Sequence, residues 1–190
     1  MSQFELVITL VSFFIAFGVS KLLSGWKTQF LRKDEVSVYP LQTAYSLLAL
    51  LAMLQNAWAT WMWHDVEWTF LTFVLLVLSN ISIVAAAALI LPDDADEKDL
   101  KDYYYRVQVP FYIFCALWLF FGGLMETALM EQSRSPIPLP LMLSIRGIAI
   151  VLFVCLVFTK RPVFHWVGWA VCFALQIGWI IGVSNDMSYI

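Results

Sequence analysis

Apolar residues run along this chain in six long blocks, over residues 4–26, 40–63, 68–91, 107–130, 138–158 and 162–184, with short polar stretches between them. Each block reaches the length, about 20 residues, that carries an α-helix across the hydrocarbon core of a bilayer. In lipid every backbone N–H and C=O must be satisfied within the segment, and these blocks are too long for barrel strands, so helix is the expected state. The pattern predicts an all-α membrane protein: one transmembrane domain over residues 1–190, built as a six-helix bundle. The first block has no basic leader and no small-residue cleavage pattern after it, so it reads as a span and not as a cleaved signal.

Polar positions inside the blocks predict which faces turn inward. Leucine gains little against leucine in lipid, and helices there associate through small residues and polar contacts. Side chains three or four residues apart share a face. On that rule the first helix presents Glu5, Thr9, Ser12, Ala16, Ser20 and Ser24 to the bundle. The second presents Gln42, Tyr45, Ala49, Ala52, Asn56 and Ala59, with Gln55 beside them. The third presents Ser79, Asn80, Ser82 and Ala86, and the fourth Cys115, Gly122 and Glu126. The sixth carries Gly178 and Gly182, a G-x-x-x-G pair, near Gln176. Gly122, Gly178 and Gly182 are the expected points of close helix packing. Helices two, four and six are expected to begin at Pro40, Pro110 and Pro162, where a missing N–H is tolerated.

Charge then predicts orientation. Lys21, Lys27, Arg32, Lys33, Lys98, Lys101, Arg106, Lys160 and Arg161 flank one side, against Arg134 alone on the other. Cytoplasmic loops carry the excess of Lys and Arg, so both termini are expected outside. Trp58, Trp61, Trp63 and Trp68 form an outer aromatic belt, and Trp26, Tyr39 and Tyr103 to Tyr105 an inner one. The stretch 92–106 falls in the cytoplasm and holds Asp93, Asp94, Asp96, Glu97, Asp99 and Asp102. It lacks the calcium-loop pattern. It reads either as a solvated loop, with a short helix after Pro92, or as a docking face for a protein partner.

Composition agrees. The chain is 62% apolar and 13% charged, against about 45–50% and about 25% in soluble domains. A net charge of −3 gives no reason to expect nucleic-acid binding. Cys115, Cys155 and Cys172 lack disulfide or zinc spacing and read as small buried hydrophobes.

Candidate chemistry centres on ionisable groups within the blocks, which cost about 2.5–3.5 kcal/mol each on insertion scales. Arg146 stands about 12 Å below the outer end of its helix and Glu126 about 7 Å, at the helical rise of about 1.5 Å per residue. Their helices are neighbours, joined by a proline-rich link (Pro136, Pro138, Pro140). A Glu126–Arg146 pair is therefore expected. Glu5, Thr9, Gln55, Asn56, Thr60, Thr127 and Gln176 fall at similar depth and predict a polar vestibule open to the outside, its floor near Ser12, Asn80 and Arg146. His64, Asp65 and Glu67 share the outer turn, too few ligands for a zinc site. His165 is expected to be an interfacial residue at the cytoplasmic end. The signatures G-x-S-x-G, H-E-x-x-H and the P-loop are absent. No catalytic residue, metal or cofactor is expected.

Two stretches, LVSFFIAFGVSKLLSGW and WTFLTFVLLVLSNISIVAAAALILPDD with the following DYYYR, resemble a family of bacterial multi-pass inner-membrane proteins. The resemblance covers roughly the first two-thirds of the chain. It implies a bacterial inner-membrane setting and brings no activity with it. The reading that follows is a channel- or transporter-like protein, assembled as a homo-oligomer, with the vestibule as its ligand or ion path. The alternative is a membrane sensor or accessory subunit that binds a cytoplasmic partner through 92–106.

Overall fold

A computed structural model of the chain describes residues 2–31, 36–92, 97–129, 132 and 138–184. Arg32, Lys33, Asp93, Asp94, Asp96, Arg134 and Pro136 lie outside the described residues. The fold is all-α: α1 (Gln3–Leu31), α2 (Pro40–Thr60), α3 (Phe70–Ile90), α4 (Leu100–Leu129), α5 (Leu139–Val157) and α6 (Pro162–Ser184), with a 3-10 turn at Trp61–Trp63. Among the described residues the β structure is one backbone bridge, Ser37 to Asp99.

Each start has a local cause. Ser2 and Glu5 cap α1 reciprocally: Ser2 N donates to Glu5 Oε2 (2.8 Å) and Glu5 N to Ser2 Oγ (3.1 Å). Thr69 and Thr72 do the same for α3. Asp99 Oδ1 accepts from the amides of Lys101 and Asp102 and starts α4. Pro40 and Pro162 stand in the first turns of α2 and α6, as expected. Pro110 does not start a helix; it lies inside α4. The Asp99 cap, with Leu100 and Tyr104 buried, carries the helix through the polar stretch that the hydropathy pattern leaves out. The short helix expected after Pro92 falls on residues 93–96, which lie outside the described residues; α4 begins at Leu100.

α1, α3, α4, α5 and α6 are long and apolar enough to cross a membrane. α2 falls below that hydropathy because Gln42, Tyr45, Ser46, Gln55 and Asn56 interrupt its apolar run. Large apolar side chains cover the outside, among them Phe158 (84% exposed), Phe70 (83%) and Phe13 (69%). Such a surface suits lipid and not water.

The helices close a ring. α2 contacts α3, α3 contacts α4, α4 contacts α5, α5 contacts α6, and α6 returns to α2. α1 lies outside the ring, against α2 and α3. It packs through Val7, Val11, Ile15, Gly18, Leu22 and Gly25. A Cβ at Gly25 would lie 2.6 Å from Leu91 Cβ, so glycine is what lets the helices approach there. This reverses the expected face of α1. Glu5, Thr9, Ser12, Ala16, Ser20 and Ser24 are all exposed. Two hydroxyls on this helix bond their own backbone, Thr9 to Glu5 O (2.6 Å) and Thr28 to Ser24 O (3.2 Å), which removes the need for a neighbouring helix.

Polar fasteners hold the ring at the end opposite the 3-10 turn. Gln42 Nε2 donates to Ile90 O, Trp26 Nε1 to Ser46 Oγ, Trp169 Nε1 to Ala44 O, and Gln108 Nε2 to the carbonyls of Val157 and Thr159. Gly178 packs on nothing: a Cβ there would meet open space, and Gly182 is exposed too. The close approach of α6 is at Gly168 instead, where a Cβ would lie 2.6 Å from Leu156 Cδ1 and 3.1 Å from Tyr45 Oη.

Candidate functional site

The ring of α2 to α6 encloses a cavity of about 130 Å³. That is ample for several waters or a small molecule, since one water needs about 10–15 Å³ on the same measure. Its polar wall is formed by Gln55, Asn56 and Thr60 from α2, Ser79 from α3, Glu126 from α4, Arg146 from α5 and Gln176 from α6. Five helices thus contribute to one site.

Glu126 and Arg146 form a fork-to-fork ion pair. Arg146 Nε donates to Glu126 Oε2 (2.8 Å) and Nη2 donates to Oε1. Arg146 Nη1 reaches the Leu119 carbonyl at 3.4 Å. The two side chains are 20% and 8% exposed. Gly122 makes the room, as a Cβ there would lie 3.0 Å from Arg146 Nη1 and 3.4 Å from Ser79 Oγ. The guanidinium charge is therefore met by a carboxylate at bonding distance, and the wall presents a neutral, polar pair.

Behind the wall the amides are tied down. Asn56 Nδ2 donates to Asn80 Oδ1 (3.0 Å), and Asn80 Nδ2 to Leu76 O (2.9 Å). Asn80 is fully buried and stands behind Asn56, off the cavity lining. Thr60 Oγ1 donates to Asn56 O and Ser79 Oγ to Trp118 O. Gln55 and Gln176 differ: each keeps a buried Oε1 with no donor among the described residues. The rest of the lining is apolar and rich in rings: Tyr45, Trp63, Phe111, Trp118, Phe153 and Trp179. Cys115 and Cys172 are buried on it, whereas Cys155 is exposed, against expectation.

The cavity thus gathers Gln55, Asn56, Thr60, Glu126, Arg146 and Gln176 from the predicted vestibule. Glu5, Thr9 and Ser12 are not among its lining. They ride on α1, outside the ring, and Glu5 serves as a helix cap. Just after the 3-10 turn, His64 stacks on Trp61 and its Nε2 meets Asp65 Oδ2 at 2.9 Å. In the 92–106 stretch, Glu97 pairs with Arg106 and Asp99 caps α4.

Sequence reasoning missed the role of His165, which is 0% exposed at the start of α6. Its Nε2 faces Thr159 O at 2.9 Å, and its Nδ1 faces the hydroxyls of Tyr112 (2.7 Å) and Tyr104 (3.0 Å). An Nε2–H tautomer fits: Nε2 donates to the carbonyl and Nδ1 accepts from a tyrosine. The two hydroxyls also meet each other at 2.7 Å, and Tyr45 Oη donates to the His165 carbonyl at 2.9 Å. Tyr45 lines the cavity, so this satisfied cluster underlies one end of it. Spacing gives no signal for it, because its members come from three helices far apart in the chain.

No protein-family model, no curated protein and no solved structure matches this chain.

Proposed function

We propose that the chain is a bacterial inner-membrane protein that binds a small solute inside its own helix ring, and that it works as a channel- or transporter-like protein with the cavity open to the outside. The observation that carries this reading is the convergence of Gln55, Asn56, Glu126, Arg146 and Gln176, from four helices, on the lining of one cavity. Intramembrane ionisable residues that face a cavity mark ligand or ion paths by default. In this reading α2 is the sixth span. Its polar residues are shielded by α1, α3 and α6, and a span lying among other helices can carry polar groups that a lipid-facing one cannot. The excess of Lys and Arg at the other end sets both termini outside. Copies associate in a homo-oligomer, and the small-residue stripe of α1, exposed at Ser12, Ala16 and Ser20, supplies a surface for it.

The test is thiol accessibility. Native cysteines are replaced by serine, and Gln55→Cys or Gln176→Cys is introduced. A membrane-impermeant maleimide applied to intact spheroplasts is expected to modify both. Modification only after permeabilisation, or none at all, overturns the outward-open site.

A further inference from the structure

Resting on the cavity as a binding site, we propose that its ligand is an uncharged aromatic small molecule carrying a hydroxyl or a similar hydrogen-bond donor. Three features of the wall select that class.

The first is charge. Glu126 and Arg146 consume each other's charge in a two-bond fork. Among the described residues they are the only carboxylate and cation on the lining. A charged ligand would have to leave water without a counter-ion, or break the fork and strand one partner, and both are costly in a low-dielectric site.

The second is hydrogen bonding. Asn56, Thr60 and Ser79 spend donors on partners within the fold. The carboxamide oxygens of Gln55 and Gln176 are buried and take no donor among the described residues. Buried acceptors in folded proteins are nearly always paired. A ligand hydroxyl or N–H supplies a donor to one of these two oxygens, which stand on the adjoining helices α2 and α6.

The third is shape and surface. Trp63, Phe111, Trp118, Phe153 and Trp179 also line the cavity, with Leu48, Ala52 and Leu175. Aromatic rings prefer offset or edge contacts with other rings, and a mainly apolar pocket with a few fixed polar groups is the usual form of a small-molecule site.

A matched set of naphthalenes tests the class on the whole protein in mild detergent. The set is 2-naphthol (neutral, one donor), 2-methoxynaphthalene (neutral, no donor) and 2-naphthoate (an anion at neutral pH). Quenching of tryptophan fluorescence reports binding, because three tryptophans stand on the lining. We expect saturable binding of 2-naphthol, with 2-naphthoate at least about tenfold weaker, because its carboxylate would be buried without a counter-ion. Gln55→Met and Gln176→Met keep the side-chain length and remove the acceptor. At least one of them, the one whose oxygen accepts the naphthol hydroxyl, is expected to weaken 2-naphthol by about three- to tenfold, and both to leave 2-methoxynaphthalene unchanged; a loss at neither overturns the proposal. Equal or tighter binding of 2-naphthoate overturns the proposal without any variant. So does equal weakening of both neutral compounds by the methionine substitutions. If Gln55→Cys and Gln176→Cys react from outside but no naphthalene binds saturably, the ligand class is wrong and the site stands. If neither cysteine reacts, the site itself fails.

Discussion

A guanidinium inside a helix bundle needs acceptors for its charge and its protons, and Arg146 finds them on Glu126 and on the Leu119 carbonyl. The two partners are not equivalent when one is removed. A carboxylate left alone can take up a proton and shed its charge, whereas a guanidinium cannot be deprotonated. Glu126→Leu should therefore destabilise by about 3–5 kcal/mol, the cost of an uncompensated buried charge. Arg146→Leu should cost less. The double variant should recover most of the loss, since an apolar pair of similar volume is often neutral in place of an ion pair. Thermal unfolding of the purified variants measures this. Additive losses would mean the two residues are uncoupled. Glu5 shows the opposite lesson: an acidic side chain within an apolar block that caps the start of α1 and is not on the cavity lining.

At the scale of elements, the glycines separate close approach from mere spacing. Gly168 sits against Leu156 and Tyr45, with no room for a Cβ. Gly168→Leu should lower stability by about 1–3 kcal/mol through overpacking, and it should disturb the His165 cluster through Tyr45. Gly178 faces open space. Gly178→Ala should be neutral, or stabilise by up to about 1 kcal/mol through helix propensity. A comparison of the two melting curves decides the matter; a loss at Gly178 as large as that at Gly168 would show that the G-x-x-x-G face is buried in an assembly. Pro110 belongs to the same scale. It interrupts one backbone bond inside α4, yet the helix runs on because its neighbours Gln108, Phe111 and Tyr112 are buried on the ring side.

For the whole molecule, the ring gives a small chain an interior. With α1 set aside, five helices enclose the cavity within one protomer, so a ligand site does not depend on several copies. Orientation is a property of the whole and follows from the distribution of Lys and Arg in the reading proposed above. Alkaline phosphatase fused at the C-terminus should be active, and a green fluorescent protein inserted between Lys98 and Asp99 should fluoresce. The reverse pattern would invert the assignment, and with it the side from which the cavity is entered.

Hydropathy and length alone carry the all-helical fold and the five helices apolar enough to span, because lipid leaves a long apolar segment no other way to satisfy its backbone; α2 lies below that hydropathy. Depth along two neighbouring helices was also enough to pair Glu126 with Arg146, since ionisable groups in lipid have few partners to choose from. The stripe rule read α2, α3 and α4 correctly and failed on α1, where Val7, Val11, Ile15 and Leu22 face the bundle and the hydroxyls do not. A serine or threonine in a helix can bond its own backbone, so its presence does not say which way the helix turns. Which helix stays outside the ring, which glycine meets a neighbour, and the burial of His165 among Tyr104, Tyr112 and Tyr45 depend on contacts between residues far apart in the chain. Those were settled only when the helices packed.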